Sequence, residues 1–138
     1  MTPAQLELVR VSYARLSDGG AAMAVDFYSN LFELDPSAQT LFATDPAVMS
    51  VKFSSELAAI VEAITSYETF APRVSELAVR HIGYGVRPQH YRTVGQALIR
   101  ALAAHLDEDW DEELEAAWRR AYNLVSELMM AAAGDAQR

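Results

Sequence analysis

H-I-G-Y-G-V-R-P-Q-H-Y, from His81 to Tyr91, is where one helical pattern ends and another begins. Leu77, Ala78 and His81 fall on one side of the incoming pattern. Gly83, Gly85 and Pro88 interrupt the period, and a long apolar period then starts at Tyr91. A histidine in the last turn before such a break is held by a rigid element yet faces whatever space the break opens. Imidazole is among the commonest protein ligands for metals. Spacing alone leaves two readings of His81: a ligand, or a helix-ending residue stabilised by the negative end of its helix.

Upstream of the break the chain reads as helices. Thr2 as cap, Pro3 in the first turn and Gln5 closing a capping box start a helix with Leu6, Val9, Tyr13 and Leu16 on its apolar face; Gly19–Gly20 stops it. A second helix covers Ala21 to Leu34, apolar on several faces and therefore deeply buried. Asp35-Pro36-Ser37 turns the chain into a short helical stretch ending near Leu41–Phe42. Asp45 then caps a longer helix from Pro46 to Thr65, presenting Met49, Phe53, Leu57, Ile60 and Ile64. Tyr67 to Phe70 is predicted to be a link, and a short helix from about Pro72 to deliver His81.

Downstream, Pro88 opens a helix showing Tyr91, Val94, Leu98, Leu102 and Leu106. Asp109 and Glu112 form a second predicted capping box, and the last helix runs to about Ala132 with Leu114, Trp118, Tyr122, Val125 and Met129 in step. Gly134 to Arg138 is predicted to be a flexible tail. No alternating run bounded by hairpin turns occurs, so the chain is expected to be one all-α domain over residues 1–138.

Composition narrows the function. Apolar residues make up 51% of the 138, enough for one sizeable core. The 19 acidic against 11 basic residues give a net charge of -8, a field that repels nucleic acid. With no Cys there is no disulfide framework, thiolate zinc site or cysteine nucleophile. No signal-peptide pattern and no run of about 18 apolar residues is visible, so no membrane partner and a cytoplasmic location are expected. Phosphate-loop, zinc-protease and serine-nucleophile signatures are missing. His90 and His105 lie off the helical face of His81, which leaves a multi-histidine zinc cluster without support. The acidic run Asp107 to Glu113 reads as a solvated cap. An iron held in a flat macrocycle needs only one protein ligand, and an all-helical, Cys-free, aromatic-rich chain with one well-placed His is compatible with that. Tyr28 alone reads as a core tyrosine with its hydroxyl bonded locally.

Four stretches resemble one family. F-Y-S-N-L-F at Phe27 to Phe32, the L-F at Leu41–Phe42, R-H-I-G-Y-G-V-R-P-Q-H-Y at Arg80 to Tyr91, and V-G-Q-A-L through A-W-R-R-A-Y up to Tyr122 are similar to the bacterial single-domain globins and the haem domain of flavohaemoglobins. The resemblance implies a globin fold of about seven helices around a pocket for haem b. It implies His81 as proximal iron ligand, Phe42 packed on the haem, and Tyr28 as a distal donor. Tyr91 matches the tyrosine that hydrogen-bonds toward the proximal histidine, and Leu77, Val86 and Val94 fall in the pocket wall. The family's proximal glutamate corresponds to about Asp135. Where the family has Gln or His on the distal side this chain has Met49, and where Leu is common it has Phe53. Both also read as ordinary core residues, and a Met49 sulfur bound to iron is an alternative. Lys52 is placed to reach a haem propionate along the surface.

The implied function is binding of O2, NO or CO at a pentacoordinate iron, with oxygen storage and conversion of NO to nitrate when a reductant is supplied. The 138 residues have no room for a flavin and NADH domain, so a separate reductase is the expected partner, and a monomer or weak homodimer the expected state. The other readings are a haem-based gas or redox sensor signalling to a separate partner, and a globin-like structural module that has lost haem.

Overall fold

The structure is a computed structural model that describes residues 1–42, 45–83 and 86–136, with residues 82, 83, 135 and 136 described by backbone alone. Six α-helices follow one another: α1 (Pro3–Ala14), α2 (Ala21–Leu34), α3 (Pro46–Ala63), α4 (Tyr67–Gly83), α5 (Pro88–Leu106) and α6 (Glu112–Ala136). A 3-10 helix over Pro36–Leu41 makes a seventh helical segment, and shorter 3-10 turns fill Ser17–Gly20 and Asp107–Asp109. Among the described residues there is no strand. The all-α architecture is the one expected.

Local chemistry explains most helix starts. The Thr2 hydroxyl accepts from the Gln5 N–H, and the Gln5 side chain accepts from the Thr2 N–H, both at 3.1 Å. Asp35 accepts from the Ser37 N–H at 3.1 Å and Asp45 from the Ala47 N–H at 2.7 Å, each ahead of a first-turn proline.

Three boundaries differ from the sequence expectation. Pro72 does not begin α4; it lies inside it, and Tyr67 to Phe70 form the first turn rather than a link. A proline there removes the bond to the Glu68 carbonyl, but the preceding turn is anchored independently. The Ser66 carbonyl accepts from the N–H groups of Thr69 (3.1 Å) and Phe70 (2.8 Å). Phe70 is only 1% exposed, and burying such a ring contributes roughly 1.5–3 kcal/mol, enough to offset much of the proline cost. The cap of α6 is Asp111 and not Asp109, because the Asp111 carboxylate accepts from the Leu114 N–H at 2.8 Å. Asp109 instead pairs with Arg15 at 3.5 Å. Finally, α6 continues past Ala132 and takes in Gly134 to Ala136.

Packing arranges the helices around a hole. The most extensive packing is α2 on α5 and α4 on α6, while α1 braces α6 and α3 lies against α2 and α4. Two buried polar links fix this frame. The Tyr13 hydroxyl lies 2.9 Å from the Gly19 carbonyl and 3.0 Å from that of Ser54, joining α1 and α3 through the intervening turn. Gly20 has φ +91° there, and a Cβ on it would stand 2.8 Å from that hydroxyl, so only glycine fits. The Trp118 indole N–H donates to Ser12 Oγ (2.9 Å), which donates to the Val9 carbonyl (3.1 Å), tying α6 to α1. No helix among the described residues is long and apolar enough to cross a membrane.

Candidate cofactor pocket

His81 stands in the last turn of α4. Its Nδ1 lies 2.9 Å from the Leu77 carbonyl. A carbonyl can only accept, so Nδ1 carries the proton and the lone pair of the neutral ring sits on Nε2. Burial lowers the His81 pKa, the Leu77 bond opposes that, Arg80 lowers it further and Glu56 raises it. The net direction keeps the imidazole neutral near pH 7, the form that binds metals.

The break then folds the chain back. The Val86 N–H donates to the His81 carbonyl at 3.2 Å, and Pro88 restarts the helix so that Tyr91 and Val94 face the same space as His81. Leu77, one helical turn back, takes the Nδ1 proton, the proton for which the resemblance gives the Tyr91 hydroxyl as partner. Burial pushes the Tyr91 phenol up, and its hydroxyl makes no hydrogen bond among the described residues. The Tyr91 backbone, by contrast, is held by a hydrogen bond from the Tyr122 hydroxyl to its carbonyl.

All ten residues singled out in the sequence meet in the wall of one cavity of about 630 Å3. His81, Leu77, Val86, Tyr91 and Val94 come from α4, α5 and their junction; Tyr28 comes from α2, Phe42 from the segment after it, and Met49, Lys52 and Phe53 from α3. That volume is within the range of small-molecule and cofactor sites, roughly 300–1,000 Å3.

The α2–α3 side is an aromatic cluster. The Phe27 and Phe53 rings stack at 4.1 Å with 8° between planes. Tyr28 meets Phe27, Phe42 and Phe53 edge-on at 5.0, 5.2 and 5.8 Å. Within this shell the Tyr28 hydroxyl makes no hydrogen bond among the described residues. Burial pushes its pKa up to about 12, so it stays protonated and able to donate. Met49 is buried beside it and brings a thioether, which has no proton to give. Lys52 is exposed at the cavity rim.

This donor set does not build a bare metal site: no group of three or more His, Asp or Glu converges among the described residues. It suits a flat, largely apolar group needing one protein ligand, since His81 has its Nε2 lone pair free for a ligand role in a cavity walled mostly by aliphatic and aromatic side chains, while His90, also in the wall, has its Nδ1 taken by the Arg87 N–H at 2.8 Å.

Comparison with known proteins agrees. The Globin family model matches residues 25–129, which includes every residue placed in the cavity wall above. The chain belongs to the globin family. Membership implies haem binding. A flavohemoprotein of Deinococcus radiodurans is 30% identical over 135 residues, covering 94% of this chain and 33% of that protein. One from Bordetella parapertussis is 27% identical with the same coverage. The globin thus spans about a third of the length of the curated relatives it matches. Among solved structures, an engineered carbene transferase built on a candidate nitric oxide dioxygenase of Rhodothermus marinus matches with TM-score 0.89 and 26% identity, covering 99% of this chain and 96% of that one. A bacterial globin from Campylobacter jejuni matches with TM-score 0.86 at 20% identity, covering 99% of both, which bears on the fold alone.

Several wall residues of this globin went unnoticed in the sequence. Phe27 stacks on Phe53, and Glu56 and Arg80 pair at 3.0 Å beside His81. Helical phase could have found Glu56, one turn beyond Lys52, and Arg80 was part of the quoted motif without a role. The second carboxylate oxygen of Glu56 is buried with no partner among the described residues. Tyr122 was read only as a core position. The Asp135 side chain lies outside the described residues.

Proposed function

We propose that this globin holds haem b through His81 and binds O2, NO or CO at its iron, with conversion of NO and O2 to nitrate when an electron donor is supplied. The observation that carries the reading is the convergence of a neutral His81 imidazole, its Nδ1 proton engaged by Leu77, with a largely aliphatic and aromatic cavity and an uncommitted donor at Tyr28 on the α2–α3 side. Haem iron, when bound, supplies the open coordination position for diatomic gases and the one-electron chemistry that turns NO and O2 into nitrate.

The chain's own residues do the rest. Leu77 orients the His81 ring, and such a bond to the remote nitrogen raises the basicity of the ligating one. A carbonyl partner is weaker in this respect than a carboxylate, so His81 is a moderate donor. Tyr28 would donate a hydrogen bond to a polar diatomic ligand, and Phe53, Phe27 and Met49 would exclude water around it. Because Met49 cannot donate, Tyr28 carries distal discrimination between O2 and CO unaided by the position where relatives place an amide or imidazole. Lys52, at the rim, has the reach and charge to meet a propionate. The Rhodothermus neighbour and the flavohemoproteins support the NO reaction as the one to test first.

The test is a haem titration followed by absorption spectroscopy in ferric, ferrous and CO-treated samples, with His81→Ala alongside. A Soret band at one haem per chain, with a high-spin ferrous spectrum that CO converts, is expected. His81→Ala should weaken haem retention more than about 100-fold, the loss of a metal–ligand bond and not merely of a packing contact. A wild-type chain that takes up no haem refutes the proposal. A low-spin ferrous spectrum replaces the pentacoordinate iron with one bound by Met49 or another internal ligand.

A further inference from the structure

Where α5 crosses α6 there is a second concavity that the haem reading does not use, a groove of about 300 Å3. Its walls carry Arg92 and Gln96 from α5 and Arg119 and Asn123 from α6. In each helix the two residues are four apart, so each presents a guanidinium and an amide on one face, a turn apart. The floor is Tyr122 with Gly95 against it: a Cβ on Gly95 would stand 2.7 Å from the Tyr122 ring, so the helices touch there without slack.

The walls are rich in donors. All four side chains offer N–H groups, the two amides an acceptor oxygen as well, and no carboxylate lines the groove. Glu115 is the acidic neighbour; it accepts from Arg119 Nε at 3.2 Å, which leaves the terminal nitrogens of that guanidinium unspent. Arg92 has no ion pair or hydrogen bond among the described residues. Arg92 and Arg119 are both exposed and line the same groove, so the two guanidiniums can share one anion.

Tyr122 also lines the haem cavity. Its ring is the partition between groove and cavity, and its hydroxyl bonds the backbone carbonyl of Tyr91, another cavity residue. We propose that the groove is a binding site for a small oxyanion, of the nitrate, phosphate or carboxylate type, and that occupancy is passed through Tyr122 to Tyr91 and the pocket. Guanidinium forks match planar and tetrahedral oxyanions. An anion held by Arg92 and Arg119 would load the close contact of Gly95 with the Tyr122 ring, and the bond from the Tyr122 hydroxyl to the Tyr91 carbonyl is the link to the pocket. Nitrate would come from the proposed reaction as its product, phosphate or carboxylates from the surroundings. The coupling rests on the haem reading; the anion site does not.

The test uses the chain as purified with haem. Its melting temperature is followed against sodium nitrate, phosphate and acetate, with ionic strength held constant by sodium chloride. A saturable rise is expected for at least one anion, with Kd on the order of 1–10 mM, as suits an exposed pair of guanidiniums. The double variant Arg92→Gln, Arg119→Gln should raise that Kd at least about tenfold, while Arg10→Gln, which removes a like charge elsewhere, should not. The responding anion names the source. No saturable response, or an equal response in the double variant, overturns the site. For the coupling, the saturating anion should change the CO dissociation rate of wild type and leave that of the double variant alone. An unchanged wild-type rate overturns the coupling while the binding stands. A chain that takes no haem sinks the pocket reading, and the melting experiment still decides the anion site.

Discussion

The α4–α5 side of the pocket and the α2–α3 side are held in different ways. Near His81 three hydrogen bonds to backbone set the geometry: Nδ1 to the Leu77 carbonyl, the Val86 N–H to the His81 carbonyl, the Tyr122 hydroxyl to the Tyr91 carbonyl. Near Tyr28 the shape comes from rings stacked and tilted on one another, and the hydroxyl at their centre is bonded to nothing described. Hydrogen bonds to backbone fix a direction; ring contacts fix a volume. The first wall is built to aim a ligand atom, the second to keep a donor in reserve.

Two conservative substitutions should separate these roles. Tyr28→Phe removes a donor that the folded chain does not use, so the urea midpoint should barely move. Dissociation of O2 from the haem-loaded protein should quicken by about 5- to 150-fold, the equivalent of a buried hydrogen bond worth roughly 1–3 kcal/mol. Tyr122→Phe should do the reverse, costing about 1 kcal/mol of stability with little direct effect on the distal donor. If Tyr28→Phe left the stopped-flow O2 rate unchanged, the contrast between the walls would collapse.

A steric change probes the tighter wall without altering any polar group. Gly95→Ala gains up to about 1 kcal/mol of helix propensity but drives a methyl against the Tyr122 ring. Overpacking of this kind costs roughly 1–3 kcal/mol, and Tyr122 is pinned at its far end. A net loss of about 1–2 kcal/mol in chemical unfolding is expected, and Gly95→Ala in a Tyr122→Phe background should recover part of it.

The smallest effect is a pH slope in the haem-free chain. Burial holds the His81 pKa below its ordinary 6.5. Between the folded and unfolded values the unfolded chain binds more protons, so stability is highest above 6.5 and declines as the pH falls below it. His81→Gln should flatten that part of the profile of urea midpoint against pH. A wild-type curve that instead rises on acidification through this window contradicts the burial.

Much of this was legible in the sequence because it is local. Thr2 with Gln5, Asp45 with Pro46 and Pro88 each announce a helix start through neighbours a few residues away, and each is found there. The start of α4 was not legible, since Pro72 signals a first turn and what overrides it is the burial of Phe70 against distant helices. The choice of Asp111 over Asp109 turns on where the last 3-10 turn closes. In the pocket, the residues carried by the resemblance line the cavity except Asp135, whose side chain lies outside the described residues. Phe27, Glu56 and Tyr122 were missed because their roles are contacts between elements, Tyr122 with Tyr91 across a crossing of two helices, and no spacing along one helix encodes that.

Trp118 adds an optical consequence. Its indole lies in the cavity wall, and the bond to Ser12 fixes it at one orientation. A haem seated there would absorb its emission by energy transfer at short, constant range, so intrinsic fluorescence should fall in proportion to the fraction of chains loaded. Trp110, outside that wall, supplies the residual signal. The chain thereby carries its own gauge of occupancy, readable without a dye and before any gas is added.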